Sequence, residues 1–219
     1  MRTKVLLGAA VVLMLVVSVA TIGSNMGFKI SIPVTASQNQ FVSLPYYCTI
    51  DGQVVGAGAT AANLRNELIA AGSSSTVGQT PVFYFNGSVW QRYAGGGIGQ
   101  VNFPLQPGVG YEIITTAALN WVVVGSHNPS LGVVLPASQS SFISVPYHTT
   151  AVTAADLRNE LIAAGSSATV GQTPVFYFNG SVWQRYAGGG IGQVNFNIIP
   201  GTAYQVIVSS TVTWTPAHY

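Results

Sequence analysis

The side chains that could perform acid–base chemistry are few in this chain, because only 5% of its 219 residues are charged. A general acid or base has to be a carboxylate or an imidazole held against the reacting group. Glu67 and Glu160 lie in predicted helices, where a solvated face is their simplest role. His127, His148 and His218 show no metal-ligand spacing. We therefore expect no catalytic site and no metal site, and the protein is predicted not to be an enzyme.

Two sequence motifs that would indicate catalysis or cofactor binding are absent or incomplete. The chain has no G-x-S-x-G motif to mark a nucleophilic serine. The glycine-rich run AGGGIGQ lacks the lysine of a phosphate-binding loop, and no predicted helix follows it to supply a dipole. The run predicts close backbone packing instead, so no cofactor is expected.

Cys48 is the single cysteine, which excludes an intrachain disulfide. Its thiol could pair with another chain, or it could be a buried apolar side chain, and both interpretations stay open.

Asn86 and Asn179 each begin an Asn-Gly-Ser sequon for glycosylation. The Asn-Gly pair is also the preferred sequence of a two-residue type I′ hairpin turn, and the flanking aromatic residues predict that hairpin. Both interpretations stay open.

Four aromatic residues near these turns could stack on sugar rings or could fill a core or an interface between domains. They are Trp90, Tyr93, Trp183 and Tyr186.

These residues recur because the chain contains one block twice. Residues 63–103 recur as 156–196, 93 positions later, and differ at two of 41 positions. The differences are Asn63, which becomes Asp156, and Ser75, which becomes Ala168. Upstream of the block the offset is 101, so the first copy carries eight additional residues around Cys48 and Asp51. Such a repeat predicts tandem copies of one small domain.

The elements of each copy predict a mostly β, α+β fold. Thr60 and Thr153 are candidate N-caps of one helix per copy, which Gly72 and Gly165 would end. Apolar and polar residues alternate from Phe28, and short strand patterns follow, including VNF and a closing pair. We expect about six or seven short antiparallel strands and one helix in each copy.

The N-terminus predicts export. Arg2 and Lys4 precede an uncharged run that ends in the cleavage pattern Ser18-x-Ala20. We predict a signal peptide at 1–20, and a retained N-terminal anchor is the alternative. Copy 1 is then 21–127 and copy 2 is 128–219. Both copies together have five basic and five acidic residues, so their near-zero charge gives no argument for nucleic acid and favours self-association.

The order of motifs resembles a poorly characterised small β-rich domain that occurs, often in tandem, in exported surface proteins of bacteria and archaea. The matching residues in copy 2 recur 93 positions earlier in copy 1, and they are Leu157, Trp183, Tyr186, Asn195, Phe196, Pro200, Gly201, Tyr204 and Trp214. The resemblance implies location and architecture but no reaction.

Two functions fit this sequence. The first is a secreted structural protein that self-assembles into a surface filament or lattice, by head-to-tail contacts or by strand addition. Its partner would be the protein itself, and it would meet a membrane only through an uncleaved leader. The second is a carbohydrate-binding adhesion module at the cell surface, whose partners would be glycans. We further expect the block to be a common scaffold, with contacts between subunits made by the flanks and the insertion.

Overall fold

A computed structural model describes residues 27–126, 128 and 130–217. The predicted leader, His127 and His218 lie outside the described residues. The described residues form fourteen strands and two helices, and the sheets are antiparallel, which confirms the mostly β, α+β fold class. No helix in this part of the chain is long and apolar enough to cross a membrane.

Copy 1 contains eight strands and one helix within its described residues. In chain order they are β1 (Phe28–Val34), β2 (Gln40–Ser43), β3 (Tyr47–Ile50), β4 (Gln53–Val54), α1 (Ala61–Ala70), β5 (Val82–Phe85), β6 (Trp90–Tyr93), β7 (Gly110–Ile113) and β8 (Leu119–Ser126).

Copy 2 has the same order without counterparts of β3 and β4. Its elements are β9 (Val133–Leu135), β10 (Ser140–Ser144), α2 (Ala154–Ala163), β11 (Val175–Phe178), β12 (Trp183–Tyr186), β13 (Ala203–Ile207) and β14 (Val212–Trp214). The insertion in copy 1 therefore forms a hairpin, and this raises the strand count of copy 1 above the expected six or seven.

Two small sheets enclose the core of each copy. One has the order β2-β7-β5-β6 in copy 1 and β10-β13-β11-β12 in copy 2. The other is β1-β8-β3-β4 in copy 1 and only β14-β9 in copy 2. The predicted closing pair of strands is wrong in its pairing, because β7 and β8 belong to different sheets. The helix of each copy buries two leucines in the core, Leu64 and Leu68 in α1 and Leu157 and Leu161 in α2.

Both helices begin and end where the sequence predicts. Thr60 and Thr153 are the N-caps, in extended backbone conformation. Gly72 and Gly165 follow the last helical turn with φ of +119° and +113°, a region in which glycine is favoured.

The predicted turn and the predicted VNF strand are wrong. Only Gly87 of the hairpin has positive φ, so the tip is Gly87–Ser88 and not the type I′ pair Asn86–Gly87. The Asn86 side chain instead accepts hydrogen bonds from the backbone of Ser88 and Val89. Residues 101–103 form no strand, because they bind the start of α1. The Asn102 side chain accepts from Ala62 N at 2.8 Å, and the carbonyl of Phe103 accepts from Ala61 N.

Candidate functional site

Equivalent surfaces of the two copies pack against each other around a cluster of six aromatic rings. Phe41 and Phe142, at equivalent positions of β2 and β10, stack with centroids 5.2 Å apart and planes 10° apart. Each also meets the tryptophan of the other copy, Phe41 with Trp183 and Phe142 with Trp90, at 5.0 Å in both cases. Phe85 and Phe178 complete the cluster. Aromatic contacts of this kind each contribute about 1 kcal/mol beyond their burial.

The aromatic contacts relate the two copies by an approximate two-fold axis, and backbone hydrogen bonds between the copies follow the same symmetry. Ser43 N donates to Gly201 O, and Ser144 N donates to Gly108 O, both at 2.9 Å. A Cβ on Gly110 would overlap the Cβ of Ala203, its equivalent in copy 2. Only one of these two positions can therefore carry a side chain, which explains why the copies differ there.

The four aromatic residues singled out in the sequence divide into two kinds. Trp90 and Trp183 lie in the cluster between the copies and remain 42% and 44% exposed. Tyr93 and Tyr186 are half-buried and pack against the core of their own copy. This placement favours the interface and core interpretation, although both tryptophans keep a face in solvent.

Two grooves flank the cluster, one on each side of the approximate two-fold. One lies between the turn at Asn86 and the segment around Gln139, and its equivalent lies between the turn at Asn179 and the segment around Gln38. Asn86 and Asn179 are exposed at these grooves. A glycan on either asparagine would therefore extend beside the contact between the copies.

The insertion changes the polar contacts of α1. In copy 2, Glu160 Oε2 accepts from Trp214 Nε1 at 3.0 Å. In copy 1, the equivalent Glu67 accepts from Asp51 N at 2.7 Å, and the buried Trp121 Nε1 has no hydrogen-bond partner among the described residues. The hairpin β3–β4 thus binds the Glu67 carboxylate, whereas the equivalent carboxylate in copy 2 binds the tryptophan.

The same insertion accounts for the difference between Asn63 and Asp156. Asp156 accepts hydrogen bonds from Thr153 N and Oγ1, and the side-chain bond in particular lowers the pKa of its carboxyl. In copy 1 the Asp51 carboxylate already lies 3.4 Å from the Asn63 side-chain nitrogen. A second carboxylate at position 63 would face it, whereas an amide donates to it.

Cys48 is buried on β3. Burial, and secondarily the charge of Glu67, raise the pKa of its thiol to about 12. A disulfide to another chain needs an accessible thiolate. The structure supplies neither the access nor the charge, so it favours the buried-thiol interpretation.

The glycine-rich run packs over a buried arginine in both copies. Arg65 donates from Nη2 to the carbonyls of Ser75 and Thr76, at 2.8 and 3.0 Å. A Cβ on Gly95, whose φ is +99°, would lie 3.1 Å from the guanidinium carbon. Arg158 and Gly188 repeat this arrangement. The guanidinium is therefore held by backbone carbonyls, and glycine is needed above it, as the packing interpretation predicts.

The same loop displays aliphatic side chains in solvent. Ile98 is 107% exposed at the tip, and its equivalent Ile191 has the same value. Val77 and Val101 lie on adjoining segments, since Gly78 N donates to Ala94 O and Val101 N donates to Arg92 O. We call Val77, Ile98 and Val101 the aliphatic patch of copy 1. The patch of copy 2 consists of Val170, Ile191 and Val194, which are also exposed.

The described residues hold no cluster of three potential metal ligands. His148 lies beside Phe28, with ring centroids 5.3 Å apart and the planes nearly perpendicular. Burial raises the pKa of Glu112 to about 6, and Gln205 replaces it in copy 2.

Searches of protein-family models, of curated proteins and of solved structures found no match to this chain.

Sequence reasoning missed Phe41 and Phe142, which stack at the centre of the contact. Each follows a run of small polar residues, and each is the first large apolar residue of its strand. The sequence signal that could have identified them is their equivalent position in the two copies. Two large apolar residues at matching positions of a duplicated domain are candidates for a two-fold contact.

Proposed function

We propose that this protein is a non-enzymatic extracellular structural protein, a subunit that self-assembles into a surface filament or lattice. The observation that carries the proposal is the aliphatic patch. It is exposed in both copies, and in both it consists of two valines and one isoleucine at equivalent positions. Ile98 and Ile191 are each 107% exposed, so no part of the chain that the structure describes covers either side chain.

The patches suit contact with further copies of this chain, and they lie within the repeated block rather than in the flanks or the insertion, where we expect such contacts from the sequence. A fully exposed isoleucine gains about 1.5–3 kcal/mol when an interface covers it. Gln100 accepts hydrogen bonds from the backbone of Ala94 and Gly96, which holds the loop in one conformation and limits the entropy lost on contact. The chain also has almost no net charge outside its leader, so like surfaces do not repel.

Native exported material, examined by negative-stain electron microscopy over a range of concentrations, tests this proposal. We expect regular filaments or sheets whose repeat is compatible with a subunit of about this size. Monodisperse particles at every concentration would overturn it. The intact mass of the same material shows whether the leader is cleaved and whether Asn86 or Asn179 carries a glycan.

A second function, carbohydrate binding at the cell surface, is favoured by the grooves beside the aromatic cluster. These grooves combine amide side chains with rings, for example Gln38 and Asn39 with Phe178. Glycan-array binding that is lost in Trp90→Ala and Trp183→Ala would support it. Regular polymers that bind no glycan would exclude it in favour of the structural function.

A further inference from the structure

Two asparagines in this chain precede a glycine, and both lie at a hairpin tip. They are Asn86, before Gly87, and Asn179, before Gly180, whereas every other asparagine precedes a larger residue. The backbone nitrogen that follows an asparagine is placed to attack the side-chain amide carbon, which closes a five-membered imide. Glycine has no Cβ to hinder this approach. The two tips therefore carry the sequence in which this reaction is least obstructed.

The backbone nitrogen of Gly87 is available for such an attack. Asn86 N donates to Val89 O, and the backbone nitrogens of Ser88 and Val89 donate to the Asn86 side chain. The N–H of Gly87 lies between these bonds and donates to no acceptor in the part of the chain that the structure describes. No hydrogen bond to this nitrogen has to break before it loses its proton to a base in solvent.

The same hairpin places two donors on the oxygen that takes up negative charge during the attack. Asn86 Oδ1 accepts from Ser88 N at 3.1 Å and from Val89 N at 3.0 Å. Copy 2 repeats both bonds at Asn179 with the same lengths. Paired backbone N–H groups on a carbonyl oxygen stabilise the tetrahedral intermediate of acyl transfer. The turn therefore favours nucleophilic attack on this amide carbon.

The leaving group of the reaction faces solvent. Asn86 and Asn179 are exposed, and no described residue accepts a hydrogen bond from the Nδ2 of either side chain. Asn66 in α1 differs, because its Nδ2 donates to the Asp51 carboxylate at 2.8 Å. Ammonia can therefore leave directly into water at the two hairpin tips.

We propose that Asn86 and Asn179 are sites of spontaneous conversion to aspartyl and isoaspartyl residues. The nucleophile is the backbone nitrogen of the following glycine. Its deprotonated form bonds to the amide carbon, the bond from that carbon to Nδ2 breaks, and ammonia leaves with a proton from solvent. Water then adds to one imide carbonyl: addition at the side-chain carbon gives aspartate, and addition at the backbone carbon gives isoaspartate. The overall change consumes one water and releases one ammonia.

The modification places a new carboxylate beside the contact between the copies. A Cβ on Gly87 would lie 3.2 Å from the side-chain oxygen of Gln139, so this tip lies against copy 2. A Cβ on Gly180 would lie 3.4 Å from that of Gln38 in copy 1. Outside the leader the chain has five basic and five acidic residues, so each conversion adds one negative charge to a neutral surface. The inference does not depend on self-assembly, since the chemistry needs a single folded chain.

Peptide mapping by mass spectrometry tests this inference on the folded full chain, produced in a host that adds no N-linked sugar. Trypsin cuts after arginine and releases residues 66–92 and 159–185. Each peptide holds one proposed site and one control, Asn66 or Asn159, which is exposed on a helix and precedes a glutamate. A sample digested before incubation corrects for conversion during the digestion.

After incubation in mildly alkaline buffer, we expect at least about tenfold more conversion at the hairpin asparagine than at the helical one of the same peptide. Isoaspartate should be among the products, because water can open either side of the imide. Equal conversion at the hairpin and helical asparagines, or none at the hairpins, would overturn the proposal.

Two comparisons test the roles of the nitrogen and of the donors. Gly87→Ala should lower conversion at Asn86 to the level of the helical asparagines, while Asn179 in the same molecule serves as the unchanged reference. Unchanged conversion at Asn86 would exclude the glycine nitrogen as the unhindered nucleophile. Chain unfolded in guanidinium chloride at the same pH should convert no faster than folded chain. Faster conversion on unfolding would overturn the role of the two N–H donors. Circular dichroism and the melting temperature identify the folded samples.

Discussion

At the scale of single residues, the two copies act as internal controls for each other, because equivalent side chains have different partners. Glu160 accepts from Trp214, whereas Glu67 accepts from the backbone of the insertion. The insertion thus leaves Trp121 buried, with no partner for its indole nitrogen among the described residues. Competition for one carboxylate therefore gives the same tryptophan–glutamate pair different hydrogen bonds in the two copies.

Replacement of each tryptophan by phenylalanine measures that competition. Both side chains are 1% exposed, so the loss of volume is similar, but only Trp214→Phe removes a hydrogen bond to a carboxylate. We expect Trp214→Phe to lower the free energy of unfolding by about 1–2 kcal/mol more than Trp121→Phe. Denaturant titration followed by circular dichroism checks this. Equal losses would mean that the Trp214–Glu160 hydrogen bond contributes nothing net.

At the scale of elements, the glycine-rich loop and the buried arginine stabilise each other. Arg65 is 6% exposed and binds carbonyl oxygens on the segment that follows α1. Burial of a cation without a carboxylate is tolerated when several carbonyls take its donors. The loop closes over the guanidinium and projects Ile98 outward, so one arrangement explains both the packing and the exposed tip.

Alanine at two neighbouring glycines separates backbone strain from close approach. Gly95 and Gly96 have φ of +99° and +105°, so alanine is strained at both. Only at Gly95 does the new Cβ meet the guanidinium, while at Gly96 nothing lies within 4 Å. We expect Gly95→Ala to be less stable than Gly96→Ala by about 1 kcal/mol or more, measured by thermal denaturation. A smaller loss at Gly95 would contradict the packing described for this loop.

At the scale of the whole molecule, the sequence predicts most of each copy and little of how the copies meet. The helix boundaries follow from Thr60 and Gly72, whose cap chemistry is local. The turn at Asn86 and the role of Asn102 could not be predicted, since both depend on bonds that the asparagine side chains make to backbone amides. The stacking of Phe41 on Phe142 depends on residues about a hundred positions apart and on the tertiary fold.

The aliphatic patches matter only between molecules. The exposure of Ile98 and Ile191 is visible only once the loop is folded. Self-assembly therefore remains a proposal that joins these surfaces, and the patches offer its most direct test.

Sedimentation velocity of the native protein and of the double variant Ile98→Ser/Ile191→Ser, over a wide range of concentrations, tests whether the protein self-assembles through these patches. Both side chains are fully exposed, so the variant should fold with an unchanged melting temperature. We predict that the native protein forms large species with rising concentration, and that the variant needs at least about tenfold more protein to do so, because it loses the burial of two isoleucines. Identical sedimentation of both proteins, or a native protein that stays monomeric throughout, would contradict the account.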